Sequence, residues 1–502
     1  MTKTDQGRAV QESPGTGRRI GFWDTTMRDG HQCLWATRMT SEMIEPIAST
    51  AGEAGFDIIG IGGAAVFDST IYYLAENIWD RLAMVDRLTP RTPKACYIRS
   101  LNILGWDIFP DDATELTIRT LKKYGVTVMN AFDALNDTRN MESTIRFTLQ
   151  HDMHSVASLV YSISPVHTDD YYVKKAKELV AMGVHGIQLK DSGGLLTPDR
   201  VSQLVPKLRK AIGPKVQLHF HTHCTSGLGT LSALTAMPLG IDIMHGAVSP
   251  LANSNSNPPL EILAREAQNM GFDMPLDMNK LTEYSEYFLN VAREHGKPLG
   301  GGSIYDPELY RHQLPGGMLS NLKSQMAAQG LDDVPFEKLL DEVRQIREDL
   351  GYPIVVSPMA QYIGVQAVFN LVHGERYKIV PAEIRNYALG WYGEHPAPMN
   401  PDVYDKIAQG GEPITGRPAD HVPPLVERAR KEFGQNMSDE ELILSFHYKP
   451  ATMNAWRAMR SDALHYPIAD HPTQVFMDEL RRRPDITYAH LSRAADEVTF
   501  RR

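Results

Sequence analysis

Cysteine is scarce in this chain. Cys33, Cys96 and Cys224 are the only three among 502 residues. Their spacing forms neither a disulfide framework nor a Cys-x-x-Cys metal knuckle, and a reduced, cytoplasmic compartment is the expectation. Long apolar runs are also missing. No stretch approaches the ~18 residues that a membrane span requires, so no span is expected. Strong charge of either sign is absent: the formal net charge is −10, an acidic balance that argues against non-specific nucleic-acid binding and is too mild to name a partner. Residues 1–19 hold Gly, Pro and Arg but no apolar signal core, and they read as a disordered tail. What remains, 42% hydrophobic and 22% charged, is an ordinary globular composition with ample chain for a large core.

The first half of the sequence has a rhythm. Eight short apolar runs begin near Ile20, Phe56, Ala95, Val126, Ser155, Gly186, Val216 and Ile241. Helical patterns separate them. Ile71, Leu74, Ile78, Leu82 and Val85 are spaced three and four apart, and Thr197-Pro198 is a capping residue followed by proline at the first helical position. Pro206, inside that second pattern, is expected to kink it. Eight strands alternating with helices predict a (β/α)8 TIM barrel over residues 20–310. A doubly wound sheet is the alternative, but it would place a Gly-rich turn after the first strand. Here that strand runs into Asp24-Thr-Thr-Met-Arg-Asp29-Gly-His-Gln32.

Beyond about Pro258 helical patterns continue without strands, as in Phe336, Leu339, Leu340, Val343, Ile346 and Leu350. Prolines punctuate residues 395–424, and Ser438 with Glu441 has the form of a capping box. Residues 311–470 are expected to form a mostly helical C-terminal domain. Residues 471–502, with Arg481-Arg482-Arg483 and Arg501-Arg502, read as a solvated tail or surface helix.

Val216-Gln-Leu-His-Phe-His-Thr-His223 carries the densest chemistry. His219, His221 and His223 alternate, so on a strand all three imidazoles share one face. Packing rarely asks for that, whereas a divalent metal needs converging neutral imidazoles. Barrel active sites lie at the C-terminal ends of the strands. Three fragments end there: Arg28-Asp29 after the first strand, Lys190 at the end of the sixth and His221-x-His223 at the end of the seventh. One carboxylate, two imidazoles and a lysine can thus surround one site. Each has a plainer explanation when taken alone. The histidines can be core residues, Asp29 a helix cap or an ion-pair partner of Arg28, and Lys190 a salt-bridge or Schiff-base lysine.

Taken together, the motifs resemble a known family. Asp24-Thr-Thr-Met-Arg-Asp-Gly-His-Gln-Cys-Leu-Trp-Ala-Thr-Arg38, Leu189-Lys-Asp-Ser-Gly-Gly-Leu-Leu-Thr-Pro198 and His221-Thr-His-Cys-Thr-Ser-Gly227 are similar to motifs of the biotin-dependent carboxyltransferases that act on 2-oxo acids. Ser162-Ile-Ser-Pro-Val-His-Thr168, Leu314-Pro-Gly-Gly-Met-Leu-Ser-Asn321, Gln366-Ala-Val-Phe-Asn370 and Arg417-Pro-Ala-Asp420 extend the likeness to about residue 450. The group includes the carboxyltransferase domain of pyruvate carboxylase, the α subunit of oxaloacetate decarboxylase and the pyruvate-side subunit of transcarboxylase, the last being closest in layout. The resemblance implies that Asp29, Lys190, His221 and His223 bind a divalent metal (Zn²⁺, Mn²⁺ or Co²⁺), with Lys190 carboxylated to a carbamate. It implies that Arg28, Gln32 and Arg99 hold substrate, and that Arg28 stabilises an enolate. Ser357 stands where the family has a proton-shuttling threonine; the plainer reading is a loop hydroxyl. His219 matches no family ligand and is expected behind the site or in the core. The implied reaction moves a carboxyl group between carboxybiotin and pyruvate, giving oxaloacetate, or runs in reverse.

Some positions depart from the family. Its Trp-Gly-Gly-Ala-Thr with a preceding glutamate becomes Gly60-Ile-Gly-Gly-Ala-Ala-Val66. Leu101 replaces a glutamine, Trp106 a tyrosine, Asn130 an arginine, Ala360 a serine linked with biotin handling, and His245 an aspartate. An altered acceptor wall beside a kept metal side is the expectation, with Gly60 and Gly62 making room for a larger 2-oxo acid. The sequence shows no Ala-Met-Lys-Met biotinylation site and no ATP-grasp domain, so biotin is expected on a separate carrier protein or as free biotin. A homo-oligomer, commonly a dimer, is implied by resemblance alone. Two other functions stay open: a biotin-independent metal-dependent decarboxylase or aldolase-type lyase, and a non-catalytic assembly subunit.

Overall fold

The computed structural model describes residues 17–465, apart from 315–321, 324, 328 and 332, together with 488–493 and 496–501. Eight parallel strands close into a barrel: β1 (Gly21–Asp24), β2 (Ile58–Gly63), β3 (Lys94–Arg99), β4 (Val126–Phe132), β5 (His154–Val160), β6 (Gly186–Asp191), β7 (Gln217–Thr222) and β8 (Ile243–Gly246), with β8 pairing back to β1. Each begins within three residues of an apolar run read from the sequence. Their near-continuous burial is the mark of a parallel sheet covered by helices on the outside and filled by side chains within.

Local chemistry sets the helices. Thr197 accepts a hydrogen bond from the Arg200 amide, and the helix Pro198–Ile212 runs on through Pro206. Ser438 caps Asp439–His447 through the Glu441 amide. The pattern over 71–85 is two elements, not one. A π-helical turn, Thr70–Leu74, ends at Ala75 in the left-handed conformation, and Asn77 then caps a new helix, Ile78–Leu88.

Inside the barrel the layers change character with height. Ile58, Ala95, Val128, Val156 and Ile243 form an apolar plug with Trp23 and Tyr97. Above it lies a polar layer. The Asn130 amide and the Tyr97 hydroxyl donate to Gln188 Oε1, and Ser158 donates to Asn130 Oδ1. The metal-type residues sit at the top.

The C-terminal region divides between two cores. Residues from Leu314 to Ile407 share one cluster, built on the helices Phe336–Asp349 and Met359–His373. Residues from Ala429 to Trp456 instead belong to the core of the barrel. The chain thus leaves the barrel, builds a helical cap and returns. Arg347 donates to Ser162 Oγ and the Ile163 carbonyl, tying the cap to the loop after β5. Ile354 and Val356 pack on Val160 of β5.

Both expected tails need correction where they are described. Arg18 donates to the Ile241 and Met237 carbonyls, and Arg19 forms a β-bridge with Asp273, so these two residues are already part of the fold. Tyr488–Arg493 (β9) pairs antiparallel with Asp496–Arg501 (β10), neither tail nor helix; alternating residues such as Val498 and Phe500 suit a strand. The triple arginine at 481–483, Arg502, residues 1–16 and most of the Leu314–Asn321 motif lie outside the described residues. Among the described residues no helix is long and apolar enough to cross a membrane.

Candidate active site

Register carries the site. Val160 of β5 lies beside Lys190 of β6, and Lys190 beside His221 of β7. These side chains therefore emerge together at the C-terminal mouth of the barrel. β1 supplies its contribution through a buried π-helical turn, Thr26–Gly30, that carries Arg28 and Asp29. Such turns are frequent at functional sites because they re-aim side chains that a regular helix would place elsewhere.

Asp29, His221 and His223 meet there, buried, with one potential ligand atom from each lying within 4.8 Å of the others. His221 Nε2 is 3.3 Å from His223 Nε2 and 3.8 Å from Asp29 Oδ2. Donors about 2.05 Å from one tetrahedral ion stand roughly 3.3 Å apart, so the two imidazoles fit. One Asp29 oxygen takes the Arg28 guanidinium, while Oδ2 is buried without a partner. The ion-pair and metal readings of Asp29 are thus compatible. Burial acts to raise the Asp29 carboxyl, but Arg28 and the two imidazoles outweigh it and hold it well below the usual carboxylate range. Burial keeps His221 neutral, as a ligand must be. His223 Nδ1 lies 2.6 Å from the Asn255 carbonyl, which directs its Nε2 lone pair to the cluster.

Lys190 lines the same cavity, of about 320 Å³. Its ammonium rests over the Phe132 and Tyr97 rings, 4.5 and 4.7 Å from their centroids. Burial, reinforced by Arg28 against the pull of Asp29, pushes it down to about 7. Arg28 lies over the Tyr97 ring at 4.1 Å. Gln32 and Arg99 complete the polar wall, and Gln32 Oε1 is buried without a partner. Arg99 is stacked on Trp106 at 4.2 Å and donates to the Gly105 carbonyl. Ser357 reaches the cavity from the helical cap, beside Val356.

The chain resembles proteins of known activity. A pyruvate carboxylase subunit from Methanocaldococcus jannaschii is 41% identical over 432 residues, which cover 85% of this chain and 76% of that protein. The chain belongs to the pyruvate carboxylase-type carboxyltransferase family. The methylmalonyl-CoA carboxyltransferase 5S subunit of Propionibacterium freudenreichii is 33% identical, over 89% of both chains. The 2-oxoglutarate carboxylase large subunit of Hydrogenobacter thermophilus is 31% identical, over 90% of this chain and 71% of that one. Residues 309–497 match a conserved carboxylase domain, and residues 120–287 match an HMGL-like domain. The carboxyl transferase domain of Rhizobium etli pyruvate carboxylase, solved with pyruvate, superposes with a TM-score of 0.82 at 26% identity, covering 96% of this chain and 83% of that one.

In this carboxyltransferase Arg28, Asp29, Gln32, Arg99, Lys190, His223 and Ser357 line one cavity at the barrel mouth, with His221 just beneath its floor and His219 deeper in the barrel. The departures from the family behave differently. A Cβ at Gly60 would lie 3.1 Å from Trp23 Nε1 and 3.3 Å from the Asp24 carbonyl oxygen, and one at Gly62 2.9 Å from Cys96 Sγ. The two glycines therefore open no space for a larger acid; larger neighbours already fill it. Asn130 is fully buried below the cavity, Leu101 is buried, Ala360 packs in the apolar core of the cap, and Trp106 lies under the Arg99 guanidinium. Within the same segment, Ala64 and Ala65 line the cavity.

Several residues escaped sequence reasoning. Tyr97 shares an alternating face with Ala95 and Arg99, a signal that was legible. Ser192, with its buried Oγ unpartnered at the cavity, follows directly after the Lys190-Asp191 pair. Asn255 acts through its backbone carbonyl and left no signal.

Proposed function

We propose that this chain transfers a carboxyl group between biotin, carried on a separate protein, and a small 2-oxo acid, with pyruvate and oxaloacetate as the pair. The observation that carries the proposal is the arrangement across the cavity. Asp29, His223, Arg28 and Lys190 face from the barrel, and the Ser357 hydroxyl faces them from the cap. Asp29, His221 and His223 would hold a divalent ion, with Lys190 as a carbamate supplying a fourth, anionic oxygen. When bound, that ion supplies Lewis-acid stabilisation to negative charge on the substrate's 2-oxygen. Lys190 supports this role because, buried and close to the Arg28 charge, it is available as a neutral amine, the form that reacts with CO₂.

Arg99 and Gln32 orient the acid through its carboxylate and 2-oxygen. Arg28, fixed over Tyr97 and against Asp29, places its charge where the enolate develops. Carboxybiotin loses CO₂, and a proton from the pyruvate methyl passes through the Ser357 hydroxyl to the ureido nitrogen. The enolate carbon then captures the CO₂ to give oxaloacetate; decarboxylation runs these steps backwards.

The filled spaces at Gly60 and Gly62 favour a pyruvate-sized acceptor over a larger one. The test is an isotope assay with ¹⁴C-oxaloacetate as donor and a biotinylated carrier domain or free biotin as acceptor, repeated with 2-oxoglutarate and pyruvate as competing acids. Transfer that requires biotin and prefers the pyruvate pair is expected. Decarboxylation at the same rate without biotin would establish the lyase instead, and no turnover by a metal-loaded chain would leave an assembly role.

Ser357 offers a narrower check. Ser357→Ala is expected to lower kcat by roughly 10²-fold, the usual reach of a positioned proton relay, with KM for the acid little changed. Ser357→Thr keeps the hydroxyl and should retain most of the activity. An alanine variant with full kcat would reduce Ser357 to a loop hydroxyl.

A further inference from the structure

Three imidazoles stand in line behind the site. His221 Nδ1 is 3.2 Å from His245 Nδ1, and His245 Nε2 is 3.3 Å from His219 Nδ1. His245 is stacked on Trp23, with ring centroids 4.5 Å apart, and all three histidines are buried inside the barrel. Gly186 leaves space for the far end: a Cβ there would lie 2.7 Å from His219 Nε2.

A neutral imidazole has one N–H and one lone pair, so a chain of them has a direction. At the site end the direction is set from outside. His223 donates to the Asn255 carbonyl, so its Nε2 carries a lone pair towards His221 Nε2. The Asn257 amide nitrogen, a donor, also faces His221 Nε2 at 3.4 Å. For His221 to give Nε2 to a cation, its proton must sit on Nδ1, and Nδ1–H needs an acceptor. The group there is His245 Nδ1. That fixes the His245 proton on Nε2, where His219 Nδ1 accepts it. A metal-binding histidine almost always donates its other N–H to a carboxylate, a carbonyl or water; here the acceptor is a second imidazole, neutral and itself held by a third.

We infer that His245, backed by His219, is a positioning residue that holds His221 in its metal-binding tautomer and orientation. It rests on the reading of Asp29, His221 and His223 as metal ligands. A neutral acceptor leaves the metal's charge less compensated than a carboxylate would, which favours polarisation of the substrate oxygen over tight retention of the ion.

The test measures metal binding on the full chain, independently of turnover. Zn²⁺ affinity is read by competition with a chromogenic chelator, and the ligand field by the visible absorption of Co²⁺-loaded protein. His245→Leu removes the acceptor and should weaken Zn²⁺ binding roughly 10- to 100-fold, with an altered Co²⁺ band. His245→Asn places an oxygen near the former Nδ1 position and should recover most of the affinity and the band. His245→Gln places its amide near the former Nε2 position, towards His219, and should not. A mild variant, Gly186→Ala, crowds His219 and should shift the Co²⁺ band in the same sense as His245→Leu. Wild-type affinity in folded His245→Leu, or equal losses in the Asn and Gln variants, would overturn the positioning role. A wild-type chain that takes up no stoichiometric metal would overturn the ligand reading, and the positioning role with it.

Discussion

Asp29→Asn is expected to leave a folded protein that has lost both its metal and its carboxyl transfer. Asp29 Oδ2 is a buried oxygen with no partner beside two imidazoles, and it is the anionic member of the cluster. Lewis-acid stabilisation is worth several kcal/mol, so transfer should fall by roughly 10³-fold or more. Asparagine is the informative substitution because its carbonyl oxygen can still accept from Arg28. Alanine would strand that buried guanidinium and cost about 3–5 kcal/mol, confusing lost function with lost fold. Elemental analysis should show bound metal dropping from one per chain towards zero, with an unchanged circular dichroism spectrum. Chelation of the wild-type chain should produce the same loss, and divalent ions should reverse it. Full transfer by a metal-free Asp29→Asn protein would remove the metal from the mechanism.

Lys190→Met should be nearly as damaging, for a different reason. Methionine matches the apolar stem and lies well between Phe132 and Tyr97, so the fold is expected to hold or gain slightly. What disappears is the nitrogen that accepts CO₂. Transfer should fall by roughly 10²- to 10³-fold, and metal should bind more weakly, because one anionic ligand is gone. With ¹³C-bicarbonate, a carbamate carbon signal is expected in the wild type and not in the variant. The lowered lysine value gives this prediction a pH sign. Only the neutral amine reacts, and with a value pushed down to about 7 it is mostly protonated at pH 6 and mostly neutral at pH 8. In CO₂-stripped, metal-free protein, reactivation by metal at a fixed concentration of dissolved CO₂ should therefore be roughly tenfold faster at pH 8 than at pH 6. A rate flat across that range, or an active Lys190→Met protein, would exclude the carbamate.

Much of this site was legible because it obeys short-range rules. A period of two placed His219, His221 and His223 on one face, and the ends of parallel strands in a barrel are one place in space. Arg28-Asp29, Lys190 and His221-x-His223 therefore converge although they are far apart in the chain. Chain order also made the alternation of strand and helix readable, and Thr197 and Ser438 marked their helix starts. The split at Ala75 was not readable, because the apolar spacing continues across it and only a backbone twist and the Asn77 cap interrupt it.

The departures from the family show where such reading stops. Gly60 and Gly62 suggest open space to anyone counting side-chain volume, but Trp23, Asp24 and Cys96, close only in three dimensions, have filled it. His245 reads as a lost aspartate of the acceptor wall, yet it stands 3.2 Å from His221, behind the histidine pair and away from the cavity lining. Asn130 reads as a lost binding arginine and sits instead in a buried network with Gln188 and Ser158. The last helices of the cap read as a continuation of the second domain but pack with the barrel. By itself the sequence determined the barrel, the family and the residues at its mouth, because periodicity, capping and motif spacing are local properties of the chain. The tertiary structure alone decided which side chains fill a vacated volume, which atom each histidine turns towards the site and which wall the acceptor meets. Packing and hydrogen-bond direction depend on neighbours that chain order does not specify.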